Sequence, residues 1–200
     1  MKLTDTLPQT VTVHNITFEI DYAFDNILLF RDMLADDDLT DHEKVEIGLE
    51  MLVKNYKDVK RLQDEQQIEL FLTIFDTLQE QQDDEEAQGV GKKTYDFDQD
   101  AELIYASFLM DYNLDLFDNR IHWKKFIALL NGLSDRTPFM KVLDIRTRPM
   151  PKPTKYNTDE RKQLQKLKRK YAIEQSEEQL NESMSQAANF LRQKAGGKHG

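Results

Sequence analysis

The chain has 200 residues, no cysteine, a net charge of −10 and a pI near 4.9. This size allows one ordinary domain or a small domain with an extension. The composition excludes disulfide and thiolate chemistry and disfavours nucleic acid as a main partner. No apolar run approaches the roughly 20 residues that span a bilayer, and the first ten residues lack the apolar core of a secretory signal, so no membrane partner is expected. The charge is unevenly placed. Residues 1–119 carry 9 basic and 29 acidic side chains, net −20, whereas residues 120–200 carry 18 and 8, net +10. The simplest consequence is that the two halves neutralise each other within the fold or between subunits.

Along the chain, Thr10–Val13 and Ile16–Ile20 alternate β-branched and polar residues around His14-Asn15, which predicts a β-hairpin. A lone hairpin is marginally stable, so it should pack on helices. Asp21 is placed to cap a helix from about Tyr22 to Leu34. The acidic loop Asp36-Asp37-Asp38 lacks the Gly and distal Glu of an EF-hand, so a helix entry is favoured over a cation site. Thr40-Asp41-His42-Glu43 has the pattern of a capping box, ahead of a helix with Val45, Leu49, Leu52, Val53 and Tyr56 on one face. A further helix from Asp64 to about Gln82 has Ile68, Phe71, Leu72, Phe75 and Leu78 as its core face, with Leu70 and Ile74 as a second apolar side. Residues 79–91 are polar and acidic and read as a linker.

The stretch Thr94–Pro151 organises the rest. Asp98 or Asp100 is placed to cap a helix carrying Ala101, Ile104, Tyr105, Phe108 and Tyr112 on one face. A second helix puts Trp123, Phe126, Ile127 and Leu130 on one face and ends near Asn131-Gly132, where Gly is expected to supply a left-handed stop. Ser134–Pro138 starts a short third helix that stops before Pro149. Phe108, Trp123, Phe126, Ile127 and Leu130 are the expected core. Beyond Thr147 the Pro-rich run reads as a semi-rigid linker. A basic helix follows Asn157, with only Leu164, Leu167 and Tyr171 as its apolar stripe. Ser176–Gln179 begins a last helix with Leu180, Met184, Ala187, Ala188 and Leu191 as a narrow stripe. Two such helices bury too little to stand alone and need a partner: the body, another copy or a different helical protein.

The residues therefore predict a mainly α fold: a small helical bundle with an N-terminal β-hairpin and a C-terminal helical extension. Its expected domains are an acidic body over 1–148, a Pro-rich linker over 149–156 and a basic, amphipathic tail over 157–200. No nucleophile elbow, phosphate loop, zinc motif or dinucleotide fingerprint is present, so no enzyme, cofactor or metal site is expected. His122 beside Trp123 reads as a histidine at the edge of a core-facing helix, and the alternating Asp96, Asp98 and Asp100 as capping groups and a solvated face. Candidate partner-binding residues are the aromatics Tyr95, Phe97, Tyr112 and Phe117, the basic Lys166 and Arg169, and the stripe residues Leu180, Met184 and Leu191. The basic helix lacks interleaved aromatics, which favours an acidic protein surface over nucleic acid.

Two runs carry a resemblance: TYDFDQDAELIYASFLMDYNLDLFD (94–118) and IHWKKFIALLNGLSDRTPFMKVLDIRT (121–147), followed by the Pro-rich exit. The chain resembles the gene-product-fifteen type of bacteriophage tail proteins, found in phages and prophages of Gram-positive bacteria. That family is similar to the tail assembly chaperones encoded beside the tape measure protein. The resemblance implies a non-enzymatic chaperone in the host cytoplasm, absent from the mature virion. It would keep the tape measure protein soluble, and itself as an oligomer and other tail assembly proteins are further partners. The alternatives are a structural tail or connector component, and a nucleic-acid-associated protein acting through the basic tail.

Overall fold

The computed structural model describes residues 6–80 and 94–173. Among these residues it is mainly helical, with eight helices and one two-stranded antiparallel sheet, as the periodicity predicts. The described chain falls into two compact units: residues 6–80 with 121–126, and residues 94–120 with 127–173.

In the first unit, β1 (Thr10–Val13) pairs with β2 (Ile16–Glu19), with Val11 opposite Phe18 and Val13 opposite Ile16. His14 and Asn15 both have positive φ, 50° and 62°, as a two-residue primed turn requires. Val11, Val13 and Phe18 are buried, and α4 packs against β1. Helices α1 (Phe24–Ala35), α2 (Asp41–Leu52), the short α3 (Tyr56–Val59) and α4 (Asp64–Glu80) follow. The capping box holds: the Thr40 side chain accepts from the Glu43 N–H, and the Glu43 carboxylate takes the Thr40 N–H at 2.8 Å. That bonding holds the Glu43 carboxyl below its usual range, the Thr40 hydroxyl contributing most. Helix α2 packs against both α1 and α4, and Gly48 lets it do so. A Cβ there would meet rings of Phe30 and Phe71 at 2.8 Å. The buried Lys44 Nζ donates to the Leu34 carbonyl at 2.9 Å, placing a cation at the C-terminal end of α1.

Residues 121–126 complete this unit. The Trp123 N–H donates to Tyr22 O at 2.6 Å, and the Phe24 N–H donates to Ile121 O at 2.9 Å. Phe24 stacks on Phe126 at 4.7 Å between centroids, and Trp123 on Phe126 at 5.6 Å. This pairing corrects one expectation. Residues before Phe24 are extended and bridged to 121–123, so α1 starts at Phe24 with Ala23 as its N-cap, and Asp21 Oδ1 accepts from the Ala23 N–H instead of capping the helix. The stripe of α4 also shifts. Leu70, Phe71, Ile74, Phe75 and Leu78 are buried, while Ile68 and Leu72 lie at the margin.

In the second unit, α5 (Ala101–Tyr112) packs on α7 (Pro138–Thr147), and α7 on α8 (Thr158–Lys170). Residues 127–131 are the end of α6 (Trp123–Asn131). Thr137 caps α7, accepting from the Met140 N–H, with Pro138 in the first turn. The fully buried Ser107 donates to Leu103 O at 2.6 Å and accepts from the Phe139 N–H at 3.1 Å, joining α5 to the start of α7.

Three expectations are corrected here. Gly132 does not have positive φ; Asn113 does, at 49°, and ends α5. Gly132 instead makes room: a Cβ would lie 2.9 Å from the Tyr112 hydroxyl, which donates to Leu129 O. Asp100 stands at the N-cap of α5 as expected, but its side chain makes no capping hydrogen bond. Asp96 and Asp100 are not on a solvated face but buried. Asp96 Oδ1 accepts from the Asp98 and Gln99 N–H groups, and Asp100 is 1% exposed and forms a bidentate pair with Arg146 at 2.5 and 2.8 Å. Arg146 also donates to Thr94 O at 3.2 Å and Tyr171 O at 2.6 Å.

Helix α8 is part of this unit. Lys168 Nζ donates to Arg146 O at 2.7 Å, Gln99 Nε2 donates to Ala172 O at 2.9 Å, and Arg161 donates to Pro151 O. Leu164 is buried and Leu167 and Tyr171 half-buried, so the second unit is the partner that this narrow stripe needed. The expected linker over 79–91 and the helix after Ser176 lie outside the described residues, but for the end of α4 at Glu80.

Candidate functional site

Helix α5 is apolar on nearly every side: among Ala101–Tyr112 only Glu102, Ser107 and Asp111 break the apolar sequence. A helix of that composition is ordinarily surrounded by protein. Here one side is buried through Ile104, Ser107 and Phe108, while Ala106, Leu109 and Met110 are exposed, the last two at 42% and 57%. Tyr105 and Leu109, and Ala106 and Met110, are each four residues apart and so neighbours on the outer face.

Phe117, 87% exposed, extends this face. Its ring centroid lies 5.1 Å from that of Tyr105. The loop after α5 holds it there. Asp115 Oδ1 accepts from the Phe117 N–H at 2.9 Å, Asp115 Oδ2 accepts from the Tyr105 hydroxyl at 3.2 Å, and Asn119 donates to Asp115 O at 2.8 Å. This Asx-type turn orders the backbone at Phe117. Desolvation first, then the Asp115 hydrogen bond and the charges of Asp115 and Asp118, raise the Tyr105 phenol above its usual range.

The other sequence candidates are placed differently. Tyr95 is half-buried with its ring edge-on to Phe97 at 5.3 Å and Phe139 at 5.6 Å, and Phe97 is buried, so both pack inside the second unit. Tyr112 is half-buried, set against Phe108 and bonded to Leu129 O. Lys166 and Arg169 are exposed on α8. Leu180, Met184 and Leu191 lie outside the described residues. Phe108, Trp123, Phe126, Ile127 and Leu130 are all buried. Sequence reasoning missed Leu109, Met110 and Asp115. The signal was available, because a helix without a polar face is itself an anomaly.

His122 is a structural residue. Its Nδ1 accepts from the Lys124 N–H at 3.1 Å, so Nε2 carries the proton and donates to Pro8 O at 3.1 Å. Desolvation, followed by Lys125 and Lys124, lowers its pKa from 6.5, with the Pro8 bond opposing. A small cleft of about 70 Å³ lies between the N-terminal ends of α2 and α4, lined by Asp41, His42, Val45, Glu46, Asp64, Gln67 and Ile68. No group of three or more His, Asp or Glu placed to hold a metal ion occurs among the described residues, and no helix among them is long and apolar enough to cross a membrane.

Comparison with known proteins adds one finding. No curated protein and no solved structure matches the chain. The model of the family described as Bacteriophage Gp15 protein matches residues 3–173, through both units. The chain therefore belongs to the bacteriophage Gp15 protein family, among the structural or assembly-related proteins of phages.

Proposed function

We propose that this protein is a non-enzymatic phage tail assembly chaperone that binds the tape measure protein and keeps it soluble until the tail tube encloses it. It acts in the host cytoplasm and is left out of the mature virion. One observation carries the reading beyond family membership: α5 is apolar on nearly every side, yet Leu109 and Met110 face solvent and Phe117 is held against Tyr105 beside them. A chaperone for a long helical client needs an apolar surface that is available before the client arrives. It also needs charge to keep the loaded complex dispersed, and the net −10 supplies it.

Co-expression tests the proposal. The tape measure protein, insoluble alone, is expected to become soluble with this chain and to be retained in a pull-down. An insoluble tape measure protein with no complex would end the reading. Stoichiometric presence of the chain in purified particles would make it a structural tail component instead.

A further inference from the structure

We infer that the outer face of α5, extended by Phe117, takes a helix of the client whose apolar stripe is flanked by Lys or Arg. The inference rests on the chaperone reading and adds the site and the chemistry of its occupant. The centre of the face is Leu109, Met110 and Phe117, all exposed. Such a centre suits an amphipathic helix inserting residues at i, i+3, i+4 and i+7. The surroundings decide the sign of the flanks. Between residues 94 and 120 there are seven carboxylates against one basic side chain, Arg120 at the end of the run. Two of the seven, Asp96 and Asp100, are buried. Glu102 and Asp118 are exposed, Glu102 one turn before Tyr105 and Asp118 directly after Phe117, and Asp115 bonds the Tyr105 hydroxyl. The face is thus an apolar strip with an anionic rim. A helix with acidic flanks would bring like charges together, whereas one with basic flanks gains affinity and a faster encounter. Asp115 orders the backbone at Phe117, and the exposed aromatic is the anchor.

The probe is a labelled Leu/Ala amphipathic peptide of about five helical turns, made once with Lys flanks and once with Glu flanks. Its binding to the full chain is followed by fluorescence anisotropy. The Lys peptide should bind about tenfold or more tighter than the Glu peptide, about 1.4 kcal/mol, with the gap narrowing as salt rises. The double variant Met110→Asp, Phe117→Ser should lose about tenfold of that affinity. Leu29→Ser, an exposed apolar residue of the first unit, should leave it unchanged. Far-UV circular dichroism confirms that each variant is folded. Equal binding of the two peptides, or full binding by the folded double variant, overturns the inference. If the double variant instead changes the protein's own oligomeric state and neither peptide binds, the face belongs to a second copy and the inference fails. The two readings fail separately. A tape measure protein that stays soluble with the double variant removes the α5 site and keeps the chaperone. One that is insoluble with the wild-type chain removes the chaperone whatever the peptides do.

Discussion

The two units are held together by different means. The first closes on apolar surface: Phe18, Phe30, Leu49, Leu70, Ile74, Trp123 and Phe126 are all nearly inaccessible. The second has a smaller apolar core and is tied by buried polar groups, with Arg146 joining Asp100, Thr94 and Tyr171, and Ser107 joining α5 to α7. Their charge differs as well. The described residues of the first unit carry 8 basic and 17 acidic side chains, those of the second 13 and 11. The sign change near residue 120 is therefore not a boundary between units. The acidic run 94–120 and the basic run 127–173 belong to one unit, and Asp100 and Arg146 pair across the change. A surplus of charge can be dispersed over a surface, but a buried carboxylate needs a specific partner.

This contrast can be broken experimentally. Trp123→Ala should cost the most, about 3–5 kcal/mol for a fully buried ring. Chemical denaturation followed by circular dichroism measures it, and hydrogen exchange should place the loss of protection mainly in residues 6–80. Equal loss in both units would mean one cooperative core. Arg146→Met leaves the Asp100 carboxylate buried without its counter-ion, the Asp96 N–H still donating to it at 3.1 Å, and should cost about 3 kcal/mol. Adding Asp100→Leu should recover much of it, because the uncompensated charge is then gone. No recovery would mean that the bonds to Thr94 and Tyr171 matter more than the ion pair.

Gly48→Ala and Gly132→Ala sharpen the comparison at smaller scale. At Gly48 the new methyl meets two packed rings, and about 1–3 kcal/mol should be lost despite the better helix propensity of Ala. At Gly132 the nearest atom is the Tyr112 hydroxyl, so Gly132→Ala should cost less in a Tyr112→Phe background than in the wild type. The smallest effect is at His122. Its folded pKa is depressed, so its contribution to stability is full above 6.5 and declines as the pH falls below that value. Between about pH 7 and 5 the melting temperature should fall less steeply in His122→Gln than in the wild type.

Local features were legible in the sequence because they depend on near neighbours. The hairpin with its His14-Asn15 turn, the Thr40–Glu43 capping box and Pro138 at the start of α7 are all settled within a few residues. The Asp100–Arg146 pair joins positions 46 apart, and no periodicity marks it. Gly132 was read through its commonest use at helix ends, whereas here the Tyr112 side chain, 20 positions earlier, requires it. For the candidate site, aromatic content led to Phe117 but also to Tyr95, Phe97 and Tyr112, which pack or bond within the second unit. An aromatic residue suits a core as well as a docking surface, so type alone cannot separate the two. Leu109 and Met110 passed for ordinary helix residues because exposure depends on what the rest of the chain leaves uncovered.

The placement of 121–126 also dictates an order of events during synthesis. Trp123 and Phe126 close the core around Tyr22 and Phe24, about a hundred residues upstream. A nascent chain that has emerged only to residue 93 carries α1 to α4 but lacks the two rings that seal the first unit. Long-range closure of this kind slows folding and leaves apolar surface open in the meantime. The first unit, although encoded first, cannot finish folding first. Its completion waits on a segment flanked on both sides by the second unit, so the first 93 residues are not expected to form a stable fragment on their own.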